Sequence, residues 1–232
     1  MTYCSHLSSL QDVPKMRPLK SLVAASLLLS GCNGMPVAFV QDPVLDQAFV
    51  VHSGAPLPYV LMGSAVQWNE DFAVTVKHIP YLSGTVFQGQ ADVQFFRHKA
   101  NSVPAWRGYK PGEELTSVGF NSLYMSVKGT GQALPAMVRL DLKEGNVLYG
   151  THNGALAKGM SGGPVFSADG KVVGINVAFL TRDDVSRLKR KDLLDQPRVS
   201  IFLPYAEINR EWSRYQASIT PIAPPATKLA SR

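Results

Sequence analysis

Cysteine is nearly absent from this sequence of 232 residues, which contains only Cys4 and Cys32. Because no cysteine follows residue 32, the rest of the chain has neither a cysteine nucleophile nor a zinc site built on cysteine. Disulfide bonds within that part are excluded for the same reason, even if it folds in an oxidising compartment. Any nucleophile of the folded part must therefore be another residue type.

A large excess of one charge is also missing. The formal net charge is +6, which is too small to indicate a nucleic-acid partner. The hydrophobic fraction of 45% and the charged fraction of 17% are typical of a globular protein. The apolar run at residues 22–29 is far shorter than the roughly 18 to 20 residues that a membrane-spanning helix needs.

The N-terminal 31 residues have the order of a targeting segment. Basic residues between 15 and 20 precede the apolar run LVAASLLL, which is followed by Leu-Ser-Gly-Cys32. This order resembles a bacterial signal peptide with a lipobox, although a buried helix with an incidental cysteine is the alternative. The resemblance implies cleavage before Cys32 and acylation of its sulfur and new amino group. Met16 is an alternative start to Met1, because the residues MRPLK make a sufficient basic head.

The same resemblance implies a location in the bacterial cell envelope, anchored to a membrane and facing the periplasm. In the sorting logic of such lipoproteins, Asn33 gives no strong retention signal for the inner membrane. The outer membrane is therefore favoured. The membrane would be one partner of the mature chain.

After Cys32, residues 32–44 are predicted to be a tether, residues 45–217 one folded region and residues 218–232 a disordered tail. Within the folded region, short apolar runs recur about every ten residues between turn residues, a pattern typical of an all-β sandwich or barrel. One helix is predicted from Tyr205 to about Gln216, started by Pro204.

The stretch GMSGGPVF at residues 159–166 fits two hydrolase motifs. The nucleophile elbow of α/β-hydrolases needs a helix directly after the serine and a histidine later in the chain. Here Asp169 and Gly170 stand between two apolar runs and predict a hairpin after Ser161. No histidine follows Ser161, since the five are His6, His52, His78, His98 and His152. The α/β-hydrolase interpretation is therefore rejected.

The second motif, Gly-x-Ser-Gly-Gly-Pro, agrees with the order His, Asp, Ser along the chain. The sequence resembles trypsin-like serine peptidases in five stretches: FAVTVKH ending at His78, ADVQFF beginning at Ala91, PGEELTSVG at 111–119, GMSGGP at 159–164 and GKVVGIN at 170–176. The resemblance implies an all-β fold of two six-stranded antiparallel β-barrels with a C-terminal helix. The boundary between the barrels would lie near residues 100–112, and the site would lie in the cleft between them.

The resemblance also implies the site residues of a serine endopeptidase that needs no metal or cofactor and acts on proteins or peptides. Ser161 would be the nucleophile, His78 its general base and Asp92 the group that orients His78. The backbone N–H groups of Gly159 and Ser161 would form the oxyanion hole. By position in the family, the substrate pocket would be lined by Ala155, Leu156, Val177 and Phe179. These apolar residues predict a preference for small or medium apolar side chains.

Three departures from the family pattern leave alternatives open. Asp92 follows His78 by only fourteen residues, and Asp141 is the alternative partner. Lys77 replaces the small residue that usually precedes the histidine. Met160 occupies the position of the aspartate that pairs with a new N-terminus in peptidases activated by proteolysis, so that activation is not expected. A catalytically degenerate relative that only binds envelope proteins or peptides is the alternative function.

The sequence also gives predictions for a charged run and for His152. It does not predict the oligomeric state. The charged run at residues 182–195 is predicted to be a solvated loop or short helix, with gating of the cleft or contact with anionic lipid near the anchor as the alternatives. His152 lies nine residues before Ser161, and a role in specificity is the less favoured hypothesis for it.

Overall fold

The computed structural model describes residues 37–38, 47–140 and 144–220, and strands dominate these segments. The predictions for the signal peptide, Cys32, Asp141 and residues 221–232 lie outside the described residues. In chain order the strands are β1 (Val37–Ala38), β2 (Ala48–His52), β3 (Met62–Gln67), β4 (Phe72–Thr75), β5 (Thr85–Gln88), β6 (Gln94–Arg97), β7 (Glu114–Phe120), β8 (Ser126–Val138), β9 (Tyr149–His152), β10 (Pro164–Ser167), β11 (Val172–Leu180) and β12 (Val199–Pro204).

The first sheet is antiparallel and has the spatial order β2-β3-β4-β6-β5. It therefore contains five strands within the described part of the chain, where six were expected. The apolar run Tyr59–Met62 does not form the extra strand. Pro58 lacks a backbone N–H for a ladder and Tyr59 has a φ of 60°, so residues 55–60 form turns and β3 begins only at Met62.

The second sheet closes into a barrel. Its order is β1-β8-β7-β10-β11-β12-β9, and β8 also pairs with β9. Closure depends on the length of β8: its residues 126–132 pair with β7, and its residues 133–138 pair with β9. β1 adds to β8 through the pairs Val37 with Lys128 and Ala38 with Val127, so the predicted tether contains a short strand. The predicted chymotrypsin-like fold of two β-barrels is confirmed at the level of two antiparallel sheets and a C-terminal helix.

Three helices complete the described structure. The charged run forms α1 (Arg182–Arg187) and α2 (Lys191–Leu194). A capping box between Thr181 and Asp184 starts α1. The last helix, α3 (Tyr205–Ile219), begins directly after Pro204 as predicted and runs three residues further than Gln216. Among the described residues, no helix is both long enough and apolar enough to cross a bilayer.

One hydrophobic cluster joins the two sheets and α3. It contains Val74 and Phe95 of the first sheet, Tyr149 and Ile175 of the second, and Ile208 of α3. Ile208 is fully buried, as expected for the apolar face of a helix that packs on a core. The two sheets therefore share a core, which fixes the segments that emerge at their common edge.

Candidate active site

The loop that carries Ser161 depends on two glycines. Gly159 has a φ of +96°, and a Cβ built on it would lie 2.5 Å from the carbonyl oxygen of Phe120. Gly162 has a φ of +86°, and a Cβ there would collide with the carbonyl oxygen of Ser64. Residues with a side chain rarely adopt such φ values, and no space is left here for a Cβ. Both positions therefore require glycine.

Two backbone N–H groups of this loop are available to a ligand. Within the described residues, neither the amide of Gly159 nor that of Ser161 donates a hydrogen bond. The carbonyl oxygen of Lys158 accepts a long bond of 3.5 Å from the Ser122 hydroxyl. Because a trans peptide places its N–H opposite its carbonyl, the N–H of Gly159 points away from Ser122. These are the two donors that the sequence predicted for an oxyanion hole.

His78 and Asp92 form a pair with two hydrogen bonds. The His78 ring nitrogen Nδ1 lies 2.6 Å from Asp92 Oδ2, and the backbone N–H of His78 donates to Asp92 Oδ1 at 3.0 Å. The carboxylate thus fixes both the ring and the backbone of the histidine. A carboxylate at Nδ1 places the ring proton there and leaves Nε2 free to accept another proton. The Asp92 side chain is 15% exposed, whereas that of His78 is 47% exposed.

The loop that carries Asp92 is held by side chains that sequence reasoning did not identify. The Lys77 ammonium donates to the carbonyl oxygens of Gly89 and Gln90 at 3.0 and 3.1 Å. The Lys77 ammonium is therefore hydrogen-bonded within the protein, and it does not point at the His78 ring. Instead it turns a short connection between β5 and β6 into an ordered loop. The unusual lysine and the short spacing to Asp92 are thus two parts of one structural feature.

Two further contacts reach this loop from distant elements. The buried Glu211 of α3 accepts a hydrogen bond from the backbone N–H of Ala91 at 3.2 Å. The buried Tyr149 hydroxyl accepts one from the backbone N–H of Asp92 at 3.0 Å and donates to Glu144 at 2.8 Å. Burial is the largest cause that raises the pKa of Tyr149, so its hydroxyl stays protonated and keeps this donor role.

The Ser161 side chain does not form the third link of the predicted set. Its hydroxyl donates to the carbonyl oxygen of Val177 at 3.1 Å, and no hydrogen bond joins it to the His78 ring. The backbone nevertheless brings the serine loop to the first sheet, because the Ser64 N–H donates to the Ser161 carbonyl at 2.8 Å. The strand next to β3 is β4, and His78 follows β4 by three residues. The structure therefore shows the pair of His78 and Asp92, with the Ser161 hydroxyl hydrogen-bonded to Val177 instead of His78.

An apolar cavity of about 190 Å³ adjoins Ser161. Three of the four predicted pocket residues line it, namely Leu156, Val177 and Phe179. Ala155 does not line the cavity, because it is buried and its backbone packs against Gly129. Met160 contributes to the wall instead, and its fully buried side chain belongs to a small cluster with Val127 and Leu156.

His152 lies inside the second barrel, away from this cavity. Its side chain is fully buried, and its Nε2 lies 3.2 Å from the Ser117 hydroxyl. Its Nδ1 accepts a hydrogen bond from the backbone N–H of Gly154 at 3.1 Å. Burial lowers the pKa of His152 to about 4, so the ring is neutral at pH 7. His152 is a structural residue of the barrel interior.

Residues 35–175 match the family model described as Trypsin-like peptidase domain. The match covers more than half of the 232 residues and includes His78, Asp92 and Ser161. The chain belongs to the trypsin-like peptidase family. It is a serine endopeptidase, and the peptidase acts on protein or peptide substrates. Among curated proteins, none matches the chain.

Solved structures share the fold of this peptidase at low sequence identity. The active form of the Rv3671c protease from M. tuberculosis has a TM-score of 0.57 and 14% identity over 96% of this chain and 97% of its own. The serine endoprotease from Yersinia pestis has a TM-score of 0.55 and 14% identity over 76% and 68%. The HtrA-type protease AlgW, solved with a tripeptide, has a TM-score of 0.56 and 16% identity over 74% and 59%. At these identities the likeness concerns the fold.

Proposed function

We propose that the chain is a lipid-anchored serine endopeptidase of the bacterial cell envelope, which cleaves peptide bonds through an acyl-enzyme on Ser161. The observation that carries the catalytic part is the double hydrogen bond between His78 and Asp92. A histidine with Nδ1 bound to a carboxylate has the tautomer and orientation of a general base. Asp92, rather than Asp141, is therefore the orienting residue in this proposal.

In the proposed reaction, Ser161 Oγ attacks the carbonyl carbon of the scissile bond while His78 Nε2 takes the hydroxyl proton. The tetrahedral intermediate places its oxyanion on the N–H groups of Gly159 and Ser161. His78 then gives its proton to the leaving amine, and the acyl-enzyme remains. A water molecule hydrolyses it with His78 again as the base. Each fixed donor of an oxyanion hole contributes about 2.7 to 4 kcal/mol to the lowering of the barrier.

The proposed cycle begins with a rotation of the Ser161 side chain. Its hydroxyl must leave the Val177 carbonyl, 3.1 Å away, before it can donate to His78. Rotation between staggered side-chain conformations of a serine is fast compared with typical turnover. The alternative hypothesis, a degenerate peptidase that only binds its targets, would require that this rotation never produces a reactive serine.

Labelling by a fluorophosphonate tests the catalytic proposal, since it needs an activated serine. The soluble form that begins at Asn33 should hydrolyse casein and be labelled at Ser161, and Ser161→Ala should abolish both signals. Ser213→Ala, which changes an exposed serine of α3, is the matched control and should retain both. Equal labelling of the wild type and Ser161→Ala would refute the nucleophile. Binding of peptides without labelling or hydrolysis would support the degenerate alternative.

The apolar cavity supports a side-chain preference at the substrate residue whose carbonyl group belongs to the scissile bond. Leu156, Val177 and Phe179 offer no charge to a basic side chain, so small or medium apolar side chains fit best. Sequencing of casein cleavage products should show Ala, Val, Leu or Met directly before the cleaved bond. Enrichment of Lys or Arg there would contradict the assignment of this pocket.

Lipid attachment is supported by the signal sequence and by the position of Cys32 within it. Cells that express the full chain and are fed radioactive palmitate should yield a labelled protein. Cys32→Ser should remain an unlabelled precursor, whereas Cys4→Ser, the matched cysteine control, should be labelled normally. Unchanged labelling of Cys32→Ser would refute the anchor. Separation of inner and outer membranes on a sucrose gradient tests the proposed location in the outer membrane.

A further inference from the structure

The charged run between β11 and β12 borders a cavity of about 210 Å³ that the proposed catalysis does not use. All of its lining residues lie between positions 180 and 199, in α1, α2, the loop after α2 and the adjoining strand ends. We call it the arginine cavity. The lining residues that matter here are Leu180, Arg182, Val185, Leu193, Arg198 and Val199.

Two arginines of this cavity differ from the other arginines of the described chain. Of the nine arginines there, seven have a hydrogen-bond, ion-pair or aromatic-ring partner: Arg97, Arg107, Arg139, Arg187, Arg190, Arg210 and Arg214. The guanidinium groups of the remaining two, Arg182 and Arg198, have no such partner among the described residues, and both line the arginine cavity. A guanidinium carries N–H donors in a planar fork that fits a carboxylate. The cavity therefore has an unused capacity to bind an anion.

The strand pairing brings the two arginines to the same end of the sheet. Leu180 ends β11 and pairs with Val199, the first residue of β12. Arg182 follows Leu180 by two positions, and Arg198 directly precedes Val199. Because the two strands are antiparallel, both arginines leave the sheet at the same end. One anionic group bound there lies within reach of both guanidinium groups.

The rest of the lining selects a ligand with an apolar part. Val185, Leu193 and Val199 are almost fully buried, and their side chains offer no hydrogen bond. Since an apolar cavity of roughly 150 Å³ holds a benzene molecule, about 210 Å³ leaves space for a branched apolar side chain. Asp195 also lines the cavity, so the two arginines leave a net lining charge of +1. The lining thus favours an apolar group next to a single carboxylate.

We propose that the arginine cavity binds the C-terminal carboxylate of a peptide that ends in an apolar residue. This inference rests on the proposed function, because cleavage after an apolar residue creates such an end. Water hydrolyses the acyl-enzyme, restores the Ser161 hydroxyl and releases a peptide with a new carboxylate. The residue that carries this carboxylate is the one whose side chain occupied the apolar cavity at Ser161. The product therefore has both groups that the arginine cavity is built to bind.

The arginine cavity is adjacent to the apolar cavity but separate from it. Phe179 lines the apolar cavity, and Leu180, the next residue of β11, lines the arginine cavity. Successive side chains of a strand point to opposite faces, so the end of β11 lies between the two cavities. A peptide end in the arginine cavity therefore leaves the apolar cavity open to another substrate.

The first experiment measures binding in the soluble form of Ser161→Ala, which begins at Asn33. Fluorescence anisotropy compares two labelled peptides that end in Ala-Ala-Leu, one with a free carboxylate and one with a C-terminal amide. The acid should bind about tenfold more tightly, because only the acid pairs with the arginines. Arg182→Gln and Arg198→Gln should each reduce this ratio, and the double variant should bring it to about twofold or less.

Arg187→Gln is the matched control. Arg187 lies in the same helix as Arg182, is 79% exposed and pairs with Asp184, but it does not line the cavity. Its variant should keep the full ratio. Arg198→Lys, which keeps the charge, should retain more of the ratio than Arg198→Gln. A ratio near one without these substitutions, or a ratio that survives in the double variant, would overturn the inference. If the double variant fails to unfold cooperatively, the two single variants decide in its place.

The second experiment separates a peptide end from a free fatty acid, which also joins a carboxylate to an apolar part. Decanoate competes with the labelled acid peptide in the same assay. Displacement by decanoate at lower concentration than by the unlabelled peptide, lost in the double variant, would overturn the peptide assignment in favour of a fatty acid. Weaker displacement by decanoate would support the peptide.

The outcome does not depend on catalysis, because Ser161→Ala has no nucleophile. Preferential binding of the acid, together with no fluorophosphonate labelling of the wild type, would contradict the proposed catalysis alone. Labelling of Ser161 together with equal binding of the acid and the amide would overturn this inference alone.

Discussion

Lys77 is next to the proposed general base in the chain, but its ammonium group belongs to the loop of Asp92. It satisfies the carbonyl oxygens of Gly89 and Gln90, which would otherwise lie in a tight loop without a donor. Hydrogen bonds from a charged donor are stronger than neutral ones, at about 1.5 to 3 kcal/mol. Lys77 is thus a positioning residue that acts on His78 through Asp92.

We predict that Lys77→Met lowers the rate of Ser161 labelling by about tenfold, because a loosened Asp92 no longer holds the His78 ring in one orientation. Lys99→Met is the matched control. Lys99 is 88% exposed, and its ammonium lies at the long distance of 3.8 Å from the exposed carboxylate of Asp71. Its loss should therefore have no effect. Labelling rates measured from pH 5 to 9 are the readout. Equal rates for the two variants would show that Lys77 has no positioning role.

The buried His152 makes the stability of the fold depend on pH. Burial lowers its pKa to about 4 in the folded chain from the ordinary histidine value of 6.5, so the unfolded chain binds more protons between these values. Stability contributed by the neutral ring is therefore complete above about pH 6.5 and is lost as the pH falls toward 4. This direction is opposite to that of a histidine stabilised in its charged form.

We predict that the unfolding free energy of the wild type falls by about 2 kcal/mol more than that of His152→Gln between pH 7 and pH 5. Glutamine keeps a polar group in the barrel but does not titrate. Denaturant titrations followed by tryptophan fluorescence at both pH values measure the difference. Parallel losses in the two proteins would show that another group is responsible.

At the scale of an element, contacts with the first sheet hold the loop from Gly159 to Gly163 in its conformation. Its Gly162 packs against Ser64 and Thr75 without room for a side chain, and its carbonyls accept bonds from β3. The Ser64 hydroxyl donates to the Gly159 carbonyl at 2.8 Å and accepts from the Phe120 N–H at 2.9 Å. Ser64 of the first sheet thus holds both the carbonyl of Gly159, the proposed oxyanion donor, and the backbone N–H of Phe120.

Gly159→Ala and Gly170→Ala separate backbone strain from the loss of space. Both glycines have a positive φ, of 96° and 72°, but only Gly159 has atoms within 4 Å of a built Cβ. We predict that both variants lose about 1 to 2 kcal/mol of unfolding free energy from strain. Only Gly159→Ala should lose at least tenfold in labelling of Ser161, because its loop must move. Normal labelling of Gly159→Ala would argue against the oxyanion assignment.

Elements with strong local patterns were predictable from the sequence. Asp169 and Gly170 predicted the hairpin between β10 and β11, and Pro204 predicted the start of α3. The run Tyr59–Met62 misled the strand prediction because its backbone follows the turn that Pro58 and Tyr59 impose. Apolar composition alone does not distinguish a strand from an exposed turn.

Contacts between distant residues were not predictable. Nothing in the neighbourhood of Lys77 indicates that its partners are the carbonyls of Gly89 and Gln90. The orientation of the Ser161 hydroxyl toward Val177 likewise depends on side-chain rotation, which no sequence pattern encodes. The sequence motif placed His78, Asp92 and Ser161 in the expected order, and the structure added how the aspartate is supported.

At the scale of the whole molecule, the proposed site is divided between two sheets. His78 and Asp92 lie in loops between strands of the first sheet, whereas Ser161 lies in a loop between two strands of the second and lines the apolar cavity. Tyr149 connects the two halves, since it extends from β9 of the second sheet to the backbone of Asp92. The alignment of nucleophile and base therefore depends on the interface between the sheets.

We predict that Tyr149→Phe lowers kcat/KM by about tenfold with a loss of only about 1 to 2 kcal/mol in unfolding free energy, since it removes one hydroxyl from an intact core. Tyr109→Phe is the matched control, because that hydroxyl makes no hydrogen bond within the described chain and its ring packs on Phe202. Rates of peptide hydrolysis and thermal unfolding of both variants test this prediction. A drop in activity no larger than that of Tyr109→Phe would contradict the link.

The support of Asp92 by Glu211 bears on where this peptidase domain ends. The family match stops at residue 175, before β12 and α3 begin. A shortened protein designed from that match would retain all three proposed catalytic residues. It would nevertheless lack the carboxylate that accepts from Ala91, 120 positions earlier in the chain. For expression, domain exchange or fusion, the functional boundary of this enzyme therefore lies after Glu211 of the C-terminal helix.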